Sequence, residues 1–435
     1  MRQTKWTSTR RTFMAASAAV MGAGALTACG GGSGGGGGDS KTLNITLANH
    51  VWTDLITKKI SEFEDETGIT VVVSQLSEDQ LVDNYKVKLN AGSEDIDVMM
   101  YRPLQVGKLF GQSGYLQDIS DRVADAGDWN WDDFQKGPVE LTTYEDQTVG
   151  VPLITESEMV YYRKDLLEAA GLEAPTTMEE LENAAKTIKE DNPGTAGIVM
   201  RSQASAAVTQ FSGFLYSHGG TWIDDSGNSA IDSPEAKEAY AYYGGLLHDY
   251  GPDQMSTDMS WPEASAIFAQ GNAGFWIDAS SLYQNVYDPE KSKVADQVGF
   301  AAFPAGPDGS KPYNVAAWAL AINSQSPNKD NAWEFIRWAT SPEMTLEIQK
   351  AGVPSARTSV WEDPAGTESY PEELATAIAK NAENGVGYDR PRVNGVAQAR
   401  EIVGGPIVAA ITGEDSDAAA DEASTQFQEL LEGEE

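Results

Sequence analysis

Cysteine is almost missing from this 435-residue chain. Cys29 is the only one, so no disulfide can cross-link the body and its stability has to come from burial. Histidine is also scarce, and His50, His218 and His248 stand alone without ligand spacing, so no metal site is expected. Lysine and arginine total 30 against 66 aspartates and glutamates, a formal charge of −36. That balance excludes nucleic acid as a partner and disfavours direct contact with anionic lipid. No apolar run of membrane length follows residue 29. The body also has no G-x-S-x-G elbow, no HExxH, no P-loop and no cysteine nucleophile, and no cofactor is expected.

What is present begins at the amino end. Residues 1–28 carry Arg2, Lys5, Arg10 and Arg11 with no acidic residue, then a short apolar stretch from Phe13 to Leu26. This pattern predicts an export signal, and Thr9-Arg10-Arg11-Thr12-Phe13-Met14 resembles the twin-arginine type. Leu26-Thr27-Ala28-Cys29 resembles a lipobox, which makes Cys29 the expected lipidation site. Two acyl chains are enough for stable anchoring, so the protein is expected on the outer face of the cell membrane. Residues 30–38 are eight glycines and one serine, a flexible tether spanning 29–40 with Cys29.

Beyond the tether, periodicities of two and of 3.6 alternate. Leu43 to Leu47 reads as a strand, Thr53 to Glu66 as a helix, and Ile69 to Val73 as a β-branched strand. A second helix over Glu78 to Ala91 leads to a third strand at Ile96 to Met100. Strand, helix, strand requires crossovers, and the repetition predicts the α/β class. Thr177 and Glu180 have capping-box spacing, and Ser233-Pro234-Glu235 and Ser341-Pro342-Glu343 each mark a helix start. The acidic tail reads as a helix with a frayed end, carrying Phe427, Leu430 and Leu431.

Five segments in order resemble the extracellular solute-binding proteins of carbohydrate ABC importers. They are Asp97 to Leu116; Pro152-Leu153-Ile154-Thr155-Glu156 with the "VYYRKDLLEAAGLEAPTTMEEL" that follows; "WPEASAIFAQGNAGFWIDAS"; "AAWALAINSQSPNKDNAWEFIRWATSPEM"; and "GVPSAR". The resemblance implies a two-lobed, type II periplasmic-binding-protein-like fold with discontinuous lobes. The N-terminal lobe would take 41–152 and 315–352, and the C-terminal lobe 153–314 and 353–435. It also implies a function: a monomer closes around a sugar or sugar alcohol and delivers it to the transmembrane subunits of an ABC permease.

A sugar presents hydroxyls that need paired donors and acceptors, and C–H faces that rest on aromatic rings. On the family's positions the ligand candidates are Trp52, Trp222, Trp276 and Trp318 for stacking. Glu156, Asp278, Arg357, Arg102, Tyr101 and Asn49 are the polar candidates. Trp333 and Trp338 lie on an amphipathic helix and are expected in a core. Where some maltose-type relatives carry a stacking aromatic, this chain has Ser280, Ser281 and Leu282, a departure that favours a smaller solute. Three alternatives remain open on sequence: a secreted glycoside-acting enzyme with two spaced carboxylates, a binding protein that reports to a sensor or adhesin instead of a permease, and a binding protein for another solute class such as peptides.

Overall fold

A computed structural model describes residues 41–434, which form one compact unit. The export signal, Cys29 and the glycine tether lie outside the described residues. Ten strands run in chain order: β1 (Thr42–Ala48), β2 (Thr70–Leu76), β3 (Val98–Tyr101), β4 (Thr143–Tyr144), β5 (Gln147–Thr148), β6 (Val151–Arg163), β7 (Ala196–Val199), β8 (Ala273–Ala279), β9 (Val298–Ala302) and β10 (Asn314–Ile322). β4 and β5 form a separate hairpin, and the others hydrogen-bond in the order β2-β1-β3-β10-β6-β8-β7, with β9 also on β6.

Local chemistry explains most boundaries. β1 is flanked by β2 and β3, both parallel to it, and helices are the connections such a pairing requires. His50 accepts the Trp52 amide at 3.0 Å and starts the Val51–Thr57 helix. Ser77 and Gln80 form a capping box for the Glu78–Asn90 helix, and Thr177 with Glu180 does the same for Met178–Asp191. The single helix read over Thr53 to Glu66 is two, Val51–Thr57 and Ile60–Thr67, which meet at Lys58 and Lys59. The acidic tail folds as the Ser416–Glu432 helix with Phe427 fully buried. Among the described residues no helix is long and apolar enough to cross a membrane.

The architecture turns on β6 and β10. Residues 151–157 of β6 pair with β10, which also pairs antiparallel with β3; residues 158–163 pair with β8 and β9. One strand therefore belongs to two packing environments. A first core gathers Leu43, Phe63, Tyr85, Met100 and Phe110 with Leu320 and Phe335, drawing on sequence 200 and more residues apart. Past the pairing switch, β6 sends Val160 to one side, against Phe211, Phe275 and Tyr243, and Met159 and Tyr161 to the other, against Trp276 and Phe268. That is the two-residue alternation of a strand buried on both faces. Trp333 is buried in the first core and Trp338 packs against it.

Candidate functional site

In open α/β sheets, ligand groups collect where parallel strands end. Here β1 and β3 end at Ala48 and Tyr101, and β7 and β8 end at Val199 and Ala279, around the stretch where β6 and β10 pass from one core to the other. Trp318 on β10 sits opposite Ile154 of β6, and Ala279 of β8 sits opposite Glu158. Those two positions on β6 are four residues apart, about 13 Å of strand.

The first-core side of this stretch is built around Trp318. The β10 register shifts on both sides of it, at Ala316 and at Ala319, so its ring departs from the regular pleat. The His50 ring lies 5.9 Å from it, and the Arg102 guanidinium sits 5.7 Å from its centroid. Arg102 is held by an ion pair to Glu78, which also accepts from Gln105 at 3.3 Å. Burial lowers the His50 imidazole, against a smaller opposing effect from Asp54. Asn49, exposed at the end of β1, is fixed by its amide to the Leu76 carbonyl.

Charge dominates the second side. Asp278, fully buried at the end of β8, is held bidentately by Arg201, at 2.6 and 3.1 Å, and accepts from Gln210 at 2.8 Å and from the Ala279 amide at 2.8 Å. The Arg201 side chain keeps 12% exposure and Asp278 none, so what solvent this pair meets it meets on the arginine side. Burial pulls the Arg201 guanidinium down, but the charge and hydrogen bonds of Asp278 outweigh it and the net shift is upward. Glu156 is half-buried and accepts from Ser281 at 2.7 Å.

A second buried pair adjoins the first. Asp389 is joined to Arg390 at 2.5 and 2.6 Å, and Thr209 accepts from Arg400 at 3.1 Å. Burial would raise the Asp389 carboxyl, yet Arg390, followed by Arg400, holds it down at about 2. Arg390 feels the charges of Arg201 and Glu156, so both pairs share one field. Four polar atoms within it have no hydrogen-bond partner in the protein: both Glu158 carboxyl oxygens, Gln210 Oε1 and Tyr313 Oη. Among the described residues no group of three or more histidine, cysteine or acidic side chains is placed to hold a metal ion.

Of the residues singled out on sequence, the structure gathers Asn49, Arg102, Trp318, Glu156 and Asp278 around this stretch. The other five lie in packed interiors, and Asp278, fully buried, and Trp318, 8% exposed in the first core, are also largely enclosed. Trp52 is buried in the first core. Trp222 donates to the Tyr216 hydroxyl at 2.7 Å and packs on Phe211. Trp276 stacks on Tyr161 at 4.4 Å with no exposure. Tyr101 turns its buried hydroxyl toward Gly150, and it has no hydrogen-bond partner there. Arg357 is fully buried, donating to the carbonyls of Thr340, Asn130 and Trp129 and to Asp133, with its guanidinium 4.2 Å from the Phe134 ring centroid.

Sequence reasoning did not single out His50, Arg201, Gln210, Glu158, Tyr313, Asp389 or Arg390. One signal was available, because "YDRPRVNG" places an aspartate and two arginines around a single proline, Pro391, and ends in Asn-Gly, which favours a loop carrying compensated charge. A groove of about 480 Å³ lies elsewhere, walled by the Ile60–Thr67, Lys329–Ala339 and Pro342–Lys350 helices and rimmed by carboxylates. Helix surfaces rather than strand ends form it, and it contains none of the buried charge pairs.

Comparison with known proteins bears on the family and the fold. Residues 49–345 match the family model described as bacterial extracellular solute-binding protein. The chain is 30% identical over 264 residues to the mannitol-binding protein of Pseudomonas aeruginosa, covering 59% of this chain and 60% of that one. It is 26% identical over 372 residues to the erythritol/L-threitol-binding protein of Mycolicibacterium smegmatis, covering 78% and 76%. Among solved structures, an ABC transporter solute-binding protein from Agrobacterium radiobacter K84 in complex with ribitol superimposes with a TM-score of 0.70 at 28% identity, covering 89% of this chain and 98% of that one. The maltose-bound MalE3 of T. maritima gives 0.67 at 28% identity, covering 89% and 100%. The fold is thus the two-lobed α/β fold of these binding proteins, and the chain belongs to the bacterial extracellular solute-binding protein family.

Proposed function

We propose that this chain is the solute-capturing component of an ABC importer, taking a sugar alcohol or small sugar between its lobes and presenting it to the permease subunits. The observation that carries this reading is the convergence at one strand-end edge of the Asp278–Arg201 pair, Glu156 with Ser281, and the Trp318 ring beneath Arg102. Ionised groups already fixed by protein partners make strong, oriented hydrogen bonds to hydroxyls, and one aromatic face suits the C–H side of a short chain or single ring. The interval of about 13 Å along β6 suits a solute of that size. Relatives that bind mannitol, erythritol and ribitol support the same class.

In this proposal the ligand set is Asn49, Arg102, Trp318, Glu156, Asp278 and Arg201. The lobes are 41–152 with 315–352, and 153–314 with 353–435, joined through β6 and β10. The leader is removed, Cys29 carries the lipid, and residues 30–40 let the body reach the permease from the membrane. Replacement Cys29→Ser is expected to move the protein from the membrane to the soluble fraction, and persistent retention would refute the anchor.

The deciding experiment is a thermal-shift screen of residues 39–435 against sugar alcohols, mono- and oligosaccharides, amino acids and peptides. A solute that binds only the folded state raises the melting temperature by mass action. A rise with a polyol or small sugar, confirmed by calorimetry with the solute recovered unchanged, supports the reading. A rise with peptides alone would overturn the solute class, and consumption of the solute would overturn the binding role.

A further inference from the structure

Glu158 is the one carboxyl near the site whose two oxygens are both buried and both lack a partner. It lies on β6 two residues beyond Glu156, on the same face of the strand, where the backbone has entered the second core. Gly213 of the Ala204–Ser217 helix lets the carboxyl in: a Cβ there would stand 2.0 Å from Glu158 Oε2 and 3.0 Å from the Phe303 ring. The main chain at this point is fixed as well, since Asn381 donates to the Glu158 carbonyl at 2.5 Å and the Glu158 amide donates to the Tyr313 carbonyl at 3.1 Å.

The charges and titratable groups around Glu158 come from every neighbouring element. Asp278 approaches from β8, Asp389 from the segment after the Glu372–Asn384 helix, Arg201 from the end of β7, Tyr243 from the Pro234–Tyr250 helix and Tyr313 from the start of β10. The guanidinium whose charge acts on Glu158 is committed: Arg201 grips Asp278 through two nitrogens. A second anion at Glu158 would repel Asp278 and compete for Arg201, pulling apart the pair that presents a donor to the solute. Burial, followed by the Asp278 charge, raises the Glu158 carboxyl well above the ordinary range, against smaller opposing effects from the Tyr313 backbone and the Arg201 charge.

We infer that Glu158 is a positioning residue of the solute site, a neutral carboxylic acid whose uncharged state keeps the Asp278–Arg201 pair in its binding geometry and whose ionisation weakens solute binding. As a neutral acid it adds no second anion beside Asp278 and carries one O–H donor. This rests on the solute-binding reading above and adds to it a direction of pH dependence. Affinity is flat below the Glu158 titration and falls above it, because only the protonated form is competent to bind.

The test is calorimetric titration of the wild-type protein with mannitol, ribitol and erythritol, and with any sugar the screen selects, from about pH 5 to about pH 9. The affinity of the solute that binds is expected to fall about tenfold for each pH unit above the Glu158 titration. Glu158→Gln keeps the shape and neutrality and is expected to retain the low-pH affinity while losing the slope. Glu158→Met, a second uncharged replacement, serves if the amide variant folds poorly, and should lose the slope as well. A wild-type affinity that stays flat with pH, or a Glu158→Gln slope equal to wild type, overturns this inference and leaves the solute-binding reading standing. Failure of every polyol and sugar to bind overturns both.

Discussion

Replacing Arg357 with methionine separates two roles that an arginine at this position could have. Family position makes Arg357 a ligand contact; the structure buries its guanidinium in the first core, over Phe134 and Trp129. Methionine keeps most of the length and removes the charge. Asp133 would keep two partners, the Ser359 amide at 2.8 Å and hydroxyl at 2.7 Å, so it is not left without a donor. The carbonyls of Thr340, Asn130 and Trp129 would lose the donors Arg357 gives them. A buried acceptor left without its donor costs about 1–3 kcal/mol, and the Thr340 and Trp129 carbonyls together put the loss at about 4 kcal/mol. With an unfolding entropy of about 2.1 cal/mol/K per residue, a body of this length should melt about 5 °C lower. Scanning calorimetry of the unliganded protein measures that shift, and isothermal titration with the screened solute should give an affinity within about twofold of wild type. Unchanged melting together with lost binding would refute the argument and return Arg357 to the ligand.

Glu156→Ala should behave in the opposite way. Glu156 is half-buried with a single side-chain partner, Ser281, so the unliganded melting temperature should hardly move, while loss of a hydrogen bond from a charged group should weaken solute binding by about 1.5–3 kcal/mol, measured by titration calorimetry. Trp276→Ala, in contrast, empties a fully buried site against Tyr161 and Phe268 and should cost about 3–5 kcal/mol of stability, read by denaturant unfolding. A third expectation concerns acid. Asp389 is held at about 2, below its unfolded value, so its contribution is fully present above the unfolded carboxylate range and disappears as pH falls toward 2. Asp389→Asn should therefore flatten the loss of melting temperature between about pH 4 and about pH 2, and an unchanged acid slope would show that the Arg390 pair does not set it.

The class and the order of elements could be read along the chain, because those are local matters. Caps such as Ser77 and Thr177, the β-branched run at Ile69 to Val73 and the prolines after Ser233 and Ser341 act within a few residues of where they stand. The family too was legible, since its segments recur in order along the chain. Which side chains reach the strand-end edge was not legible, and Trp276 and Trp318 show the reason. Each lies on a strand among apolar neighbours, yet Trp276 turns into a closed interior while register shifts in β10 place Trp318 beside His50 and Arg102. Glu156 and Glu158 make the same point two residues apart on one strand. One reaches Ser281 at the edge, and the other is enclosed because the helix bearing Gly213 crosses over it. Period and propensity are set by neighbours in sequence, whereas burial is set by segments up to hundreds of residues away, and only the tertiary structure brings those together.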